Sequence, residues 1–293
     1  MPNIAYEGVF SKEHAFEYEH EFIHNGFPIH VKHYGVGKSN IPLLFIGGAF
    51  QNIQRVESLT VPLSQHSWVI VVDTPGNGNT GILPHNVSFD FICEIIYEYL
   101  VQANIKTINI FGCSYGSIVA MKFAQAYAES DINIRKMVLA SAMHRMPDHL
   151  KESFKNLIDH LDGGEIDKFA SGFTNLMTNP EFCAVNKMAA MASTKLYDAL
   201  INANLGIREQ FKHNTMRILW DGETDLDNMP DVDTMVMVGE HDHFLPVEAN
   251  QLVANAFKRS ELRIIPKADH MAHVEQRKVV IRMIIDAIGD HFE

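Results

Sequence analysis

Cations are scarce in this chain of 293 residues: 24 Lys and Arg stand against 36 Asp and Glu, for a formal net charge of −12. Nucleic-acid binding needs clustered Lys and Arg to neutralise phosphates, so the composition excludes that class of partner. Cysteine is scarcer still. Cys93, Cys113 and Cys183 are odd in number and irregular in spacing. That is no disulfide framework, and it suits a reducing compartment. Apolar runs stop short of the roughly 18 residues that mark a membrane span. The stretch Met1 to Glu21 lacks the basic start and apolar run of a secretory signal. These absences predict a cytoplasmic protein without a membrane span. Internal repeats and low-complexity tracts are also missing. So are an H-E-x-x-H string and a thiolate cluster, and the expectation is therefore no metal and no cofactor.

What is present is a hydrophobic content of 46% and a charged fraction of 20%, ordinary for a globular enzyme with one large core. Five short apolar runs stand out: Leu43 to Ile46, Trp68 to Val72, Thr107 to Phe111, Lys136 to Ala140 and Thr234 to Val238. Short β-branched runs that end in Gly, Asp or Ser read as strands buried on both faces of a parallel sheet. Phe27 to Tyr34 alternates instead and predicts a half-exposed strand near an edge. Helical periodicity falls between the runs, over Phe89 to Gln102, Gly116 to Ala128, Val247 to Phe257 and Val274 to Ile288. Strand alternating with helix predicts a doubly wound α/β fold.

One segment breaks the alternation. From His144 to Met229 no buried-strand run is found, only helical stretches such as Leu150 to Leu161, Ile166 to Met177 and Lys195 to Asn204, punctuated by Gly163-Gly164 and Asn179-Pro180. The expectation is a core of residues 1–143 and 230–293 carrying a helical lid of residues 144–229 over the site, since loops at the carboxyl ends of parallel strands cover such sites.

The chemistry begins at Gly112-Cys113-Ser114-Tyr115-Gly116, which follows one strand and opens a helix. In that context G-x-S-x-G reads as a nucleophile elbow; the alternative is a serine that merely caps its helix. A serine hydroxyl is a weak nucleophile and needs a base, which needs an orienting acid. Asp242 follows the strand Thr234 to Val238, and His270 follows the apolar run Leu262 to Ile265. Nucleophile, acid and base thus fall at three strand ends in the chain order Ser, Asp, His. Glu240 and Asp269 are rival acids. Asp269 is next to His270 in sequence, an awkward geometry for a carboxylate–imidazole bond, and solvation at the surface is its expected role.

An oxyanion needs backbone donors placed in advance. The N–H of Tyr115 is one candidate. The loop Ile46-Gly47-Gly48-Ala49-Phe50 offers the other through Ala49 or Phe50. For the substrate, Gly48 and the lid methionines Met177, Met188 and Met191 are candidate contacts, because methionine adapts to irregular apolar surfaces.

These residues resemble the α/β-hydrolase superfamily over nearly the whole chain. The matching elements are Gly47-Gly48-Ala49, Asp73-Thr74-Pro75-Gly76-Asn77-Gly78, Gly112 to Gly116, Gly239 to Asp242 and His270 to Gln276. The resemblance implies a mostly parallel eight-stranded sheet flanked by helices. In one respect the chain departs from the family: the usual His-Gly of the oxyanion loop is Gly47-Gly48, which loses a loop-fixing side chain while keeping the backbone donor. More narrowly, the Gly-Ala loop and the stretch Phe169 to Asn204 resemble bacterial 3-hydroxyacyl transferases. Those enzymes make rhamnolipid and polyhydroxyalkanoate precursors from acyl-carrier-protein or coenzyme A thioesters.

Three functions follow as expectations. The first is a serine esterase or thioesterase acting on a small-molecule ester or thioester of a medium or long acyl chain. The second, implied by the narrower resemblance, is an acyltransferase that takes its acyl group from an acyl-carrier-protein or coenzyme A donor. The third is a non-catalytic module on the same fold.

Overall fold

The computed structural model describes residues 17–289; most of the Met1 to Glu21 stretch therefore lies outside the described residues. Eight strands form one sheet in the order β1-β2-β4-β3-β5-β6-β7-β8. The strands are β1 (Tyr18–His24), β2 (Phe27–Tyr34), β3 (Leu43–Ile46), β4 (Val69–Asp73), β5 (Thr107–Cys113), β6 (Asn133–Ala140), β7 (Asp233–Gly239) and β8 (Ser260–Ile265). β1 pairs antiparallel with β2, and β2 antiparallel with β4; all other pairs are parallel. The parallel register aligns Ile46 with Gly112, Cys113 with Ala140 and Gly239 with Ile265. That alignment brings the carboxyl ends of five strands to one edge, where open α/β sheets place their ligands.

The buried strands owe their place to composition. β3 and β4 are buried at every position, as continuous apolar runs (closed in β4 by Asp73) demand when helices cover both faces. β2 alternates as its sequence requires, with Ile29, Val31 and His33 buried. It is second from the edge rather than the edge itself. The edge is β1, a mixed-polarity strand whose register with β2 runs from Tyr18–His33 to His24–Phe27.

Helices α1 (Ile53–Ser64) and α11 (Arg277–Ile288) cover one face, and α2 (Phe89–Gln102), α3 (Tyr115–Tyr127) and α9 (Val247–Asn255) the other. α11 shows the logic of its period: Val280, Ile284 and Ile288 recur every fourth residue and are all buried. Each such side chain contributes about 1.5–3 kcal/mol by leaving water. A four-residue turn, α10 (Ala272–Glu275), precedes it.

Between β6 and β7 the chain forms only helices: α4 (Asp148–Asp162), α5 (Ile166–Met177), α6 (Pro180–Val185), α7 (Lys187–Ile201), α8 (Leu205–Asp221) and a short 3₁₀ turn at Leu226–Asn228. The punctuation signals act as read. Gly163 ends α4 and Gly164 takes φ +72°, while the Asn179 side chain accepts from the N–H groups of Glu181 and Phe182 to start α6.

Two anchors fix these helices to the core. At one end the Arg217 guanidinium of α8 is wholly buried. It donates to the carbonyls of Val87, Leu83 and Pro84 and to Asn214 Oδ1, over 2.5–2.9 Å. Midway along the segment the Asn179 N–H donates to Asp269 Oδ2, and Phe182 stacks on His241 with ring centres 4.0 Å apart.

Candidate active site

Ser114 sits between β5 and α3 at φ 49°, ψ −111°. A non-glycine residue reaches this region only when its surroundings impose it. Two glycines make the turn possible. A Cβ on Gly112 would lie 2.5 Å from the Gly116 carbonyl oxygen and 2.8 Å from the Ala120 Cβ; a Cβ on Gly116 would lie 2.3 Å from the Ile46 carbonyl oxygen. The Ser114 side chain makes no capping bond to its helix, so the hydroxyl is not spent as a cap. Ser117 braces the turn from within: its hydroxyl donates to the Ser114 carbonyl at 2.5 Å and accepts from the Met143 N–H at 2.8 Å.

Asp242 lies just past β7 and is 3% exposed. Its Oδ1 accepts from the Leu245 N–H at 2.8 Å, and its Oδ2 lies 2.9 Å from His270 Nδ1. The bond to Nδ1 leaves Nε2 of His270 available, and His270 and Ser114 line the same cleft. Burial alone would lower the His270 pKa. The charge and hydrogen bond of Asp242, with Asp269 behind, outweigh it and hold the imidazole above its ordinary value. The Phe244 ring meets His270 edge to face, 5.1 Å between centres.

The other groups of this corner have separate places. Asp269 is fully buried, which corrects the expectation of a solvated surface carboxylate. Its Oδ1 accepts from the His270 N–H at 2.8 Å and its Oδ2 from the Asn179 N–H, so it joins the histidine loop to α6. Glu240 is half-exposed and accepts from the Lys267 N–H at 2.9 Å. Cys113, beside Ser114, is no rival nucleophile: burial and then the Asp242 charge push its thiol up to about 12. His270 and His273 are put to different uses, because His273 Nε2 lies 3.1 Å from Gln51 Nε2.

Gln51 is the residue that sequence reasoning missed. Its Oε1 accepts from the Gly48 N–H at 2.7 Å, and its own N–H bonds the Gly48 carbonyl at 3.1 Å. A Cβ on Gly47 would press to 3.0 Å from the Gln51 Cβ. Glycine in the usual histidine position thus makes room for a glutamine that fixes the loop from the other side. Phe50 then takes φ 61°, and its ring stacks on Phe211 of α8 with centres 4.5 Å apart. The N–H of Tyr115 is the first of α3 and has no partner within the helix.

Two clefts meet at Ser114, sharing Ala49, Phe50, Met177 and Phe173. One is lined on its apolar side by Phe154, Phe173, Phe211, Phe244, Met143 and Met146. The other adds Gly48, Lys195, Leu196, His270, Met271 and His273. Met188 and Met191 line neither. They are exposed on α7, outside the Ser114 cleft itself, over an outer groove that adjoins the second cleft at Lys195 and His273. Residue type favoured them, but the helix turns that face outward.

Residues 41 to 276 match the family model for the alpha/beta hydrolase fold, and the chain belongs to that family. Among curated relatives it is 24% identical over 195 residues to the proline iminopeptidase PfmaB of Pestalotiopsis fici, covering 61% of this chain and 66% of that one. It is 29% identical over 106 residues to a poly(3-hydroxyalkanoate) depolymerase of Ectopseudomonas oleovorans, 36% of each chain. The chain spans less than two thirds of either relative's length. Among solved structures, the alpha/beta hydrolase MGS-M2 from a Medee basin deep-sea metagenome library superposes with a TM-score of 0.82. That match has 17% identity and covers 94% of this chain and 98% of that one, a likeness of fold. Among the described residues no helix is long and apolar enough to cross a membrane.

Proposed function

We propose that this protein is a serine hydrolase that opens a carboxylic ester or thioester of a medium or long acyl chain through an acyl-enzyme. The observation that carries the reading is the 2.9 Å bond from His270 Nδ1 to Asp242 Oδ2 beside a serine in the same cleft. Ser114 attacks the acyl carbonyl and its proton passes to His270 Nε2. The oxygen that becomes negative is met by the N–H of Tyr115 and that of Ala49 or Phe50. His270 then gives the proton to the departing alcohol or thiol, leaving the acyl group on Ser114. Water, deprotonated by His270, releases the acid and restores the enzyme. The phenylalanine- and methionine-lined cleft accepts the acyl chain, and residues 144–229 act as the cap over it. A cytoplasmic setting belongs to the proposal, supported by three cysteines that are all free.

Acyl transfer is the second reading. It is favoured by the meeting of two clefts at Ser114, which gives a second substrate a place beside the acyl chain. An acyl-carrier-protein or coenzyme A thioester is then the donor. A fluorophosphonate probe tests the shared step: wild type should label at Ser114, Ser114→Ala should not, and ester turnover should fall about a thousandfold or more in that variant. Unlabelled wild type with an open site would instead favour a non-catalytic module. Acyl donor that stays intact until a hydroxy acid, thiol or carrier protein is added would favour transfer over hydrolysis.

A further inference from the structure

The clefts at Ser114 reverse the charge balance of the chain. Acidic residues outnumber basic ones 36 to 24, yet among the described residues neither cleft is lined by an Asp or Glu. Arg55 lines both clefts and Lys195 lines the second. Neither is neutralised. Arg55 Nη1 donates to the Phe50 carbonyl at 2.9 Å, and among the described residues neither cation forms an ion pair. The nearby Glu57 is already held by Lys32 at 2.9 Å and by the Tyr34 hydroxyl at 3.1 Å.

The amino end of α1, next to Arg55, is not itself a free anion site. The N–H groups of Ile53 and Arg55 are taken by Asp73 Oδ1 and Asn52 Oδ1, both at 2.9 Å, and that of Val56 by the Asn52 carbonyl. Recognition therefore falls to the side chains. A protein of net charge −12 repels anions at long range, and two solvent-reached cations without an acidic partner at the cleft mouth oppose that repulsion locally, an effect that salt screens. Beyond Lys195 the surface continues into an outer groove lined by Met188, Met191, Arg277 and Lys278, with the largely buried carboxyl of Glu275 at its inner side.

We propose that the second cleft recognises an anionic group on the leaving-group or acceptor half of the substrate, a carboxylate or a phosphate held by Arg55 and Lys195. The proposal rests on the acyl-enzyme reading of Ser114. The apolar cleft takes the chain, the carbonyl sits at Ser114, and the charged half points toward Lys195. A carboxylate close to the scissile bond is read by Arg55 and Lys195 alone. A phosphate at the far end of a pantetheine arm extends along the outer groove to Arg277 and Lys278.

The test is equilibrium binding to Ser114→Ala with two pairs of probes, each differing by one anionic group. One pair is the decanoyl esters of glycolate and of glycolamide. The other is S-decanoyl 4′-phosphopantetheine and S-decanoyl pantetheine. At low salt the anionic member of at least one pair should bind about fivefold or more tightly than its neutral partner, with the ratio shrinking as salt is added. Adding Arg55→Gln and Lys195→Gln together should bring that ratio to within about twofold of one. Lys195→Glu, on an exposed face of α7, should lower it further and serves as the second variant. Loss confined to the phosphate pair on adding Arg277→Gln and Lys278→Gln would identify phosphate as the group. Both ratios near one, or a high ratio that survives the double variant, would overturn the proposal. Fluorophosphonate labelling of wild type separates the two readings. A labelled Ser114 with flat ratios removes the charge reading alone; a high ratio without labelling keeps the anion site and removes the acyl-enzyme.

Discussion

Gln51 bridges Gly48 and His273: its carbonyl oxygen lies 2.7 Å from the Gly48 nitrogen and its amide nitrogen 3.1 Å from His273 Nε2. Burial first, then the neighbouring His270, push the His273 pKa down to about 4. His273 is thus neutral at ordinary pH, and its Nε2 can accept from the glutamine. The bridge orients the loop that carries Ala49 and Phe50. Gln51→Ala should lower kcat about 10- to 100-fold while changing KM little, because small displacements of oxyanion donors are felt mainly in the transition state. Gly47→Ala should act in the same direction by displacing Gln51. Steady-state kinetics on a short activated ester separates kcat from KM.

The acid limb of the rate profile follows from His270. Its pKa is raised, and only the neutral imidazole can accept the Ser114 proton. On the proposed mechanism activity should therefore be present above that raised pKa and lost as pH falls through it. The limb in kcat/KM should lie above the ordinary histidine value of 6.5. Asp242→Asn removes the charge that raises it, so the residual limb should shift to lower pH, with kcat down by about three to four powers of ten. A profile whose acid limb is unmoved by that substitution would assign it to another group.

Much of this was legible in the residues, for reasons that differ by element. Ser114 and Asp242 each follow a buried apolar run and His270 a short, partly exposed one, and a parallel sheet sends such positions to one edge. β3 and β2 appear over the residues their patterns mark, Leu43–Ile46 and Phe27–Tyr34. β1 was hidden because its half-exposed faces carry histidine and glutamate as often as apolar groups. α1 was hidden by β-branched residues and by Pro62 in its last turn. α8 was hidden by an inverted face: Gln210, Asn214 and Arg217 point inward while Leu205 and Trp220 are exposed. Gln51 had no signal of its own, although the missing loop histidine left a role to be filled.

Arg217 should be costly to remove. Its guanidinium is fully buried and is satisfied by three carbonyls and Asn214 rather than by a carboxylate. Arg217→Ala strips several buried acceptors at once, and the expected loss is about 3–5 kcal/mol of unfolding free energy. Arg217→Lys should recover only part of it, since one ammonium cannot reproduce the planar fork. Chemical denaturation measures both.

Glu275 carries the opposite sign of effect. Burial first, then the charges of Asp269 and Asp242, raise its carboxyl to about 7, against the pull of the Asp269 N–H that it accepts at 2.6 Å. Its Oε1 is buried without a partner among the described residues. A carboxyl whose folded pKa exceeds its unfolded value of 4.5 favours the folded state at low pH. That contribution fades as pH rises from about 4.5 through about 7. Glu275→Gln removes the titration, so its stability relative to wild type should rise across that window and level off above it, by on the order of 1–3 kcal/mol. Melting temperatures of both proteins from pH 5 to 8 provide the check.

The helices between β6 and β7 are pinned at two points, by Arg217 and its carbonyls late in the segment and by Asp269 and Phe182 midway along it. A span so held is a bridge, and on the proposed function traffic beneath it should be limited by clearance. A straight acyl chain should then pass, whereas a chain with a bulky branch near its tip should be turned back at arrival, in the rate of encounter rather than in the rate of acylation.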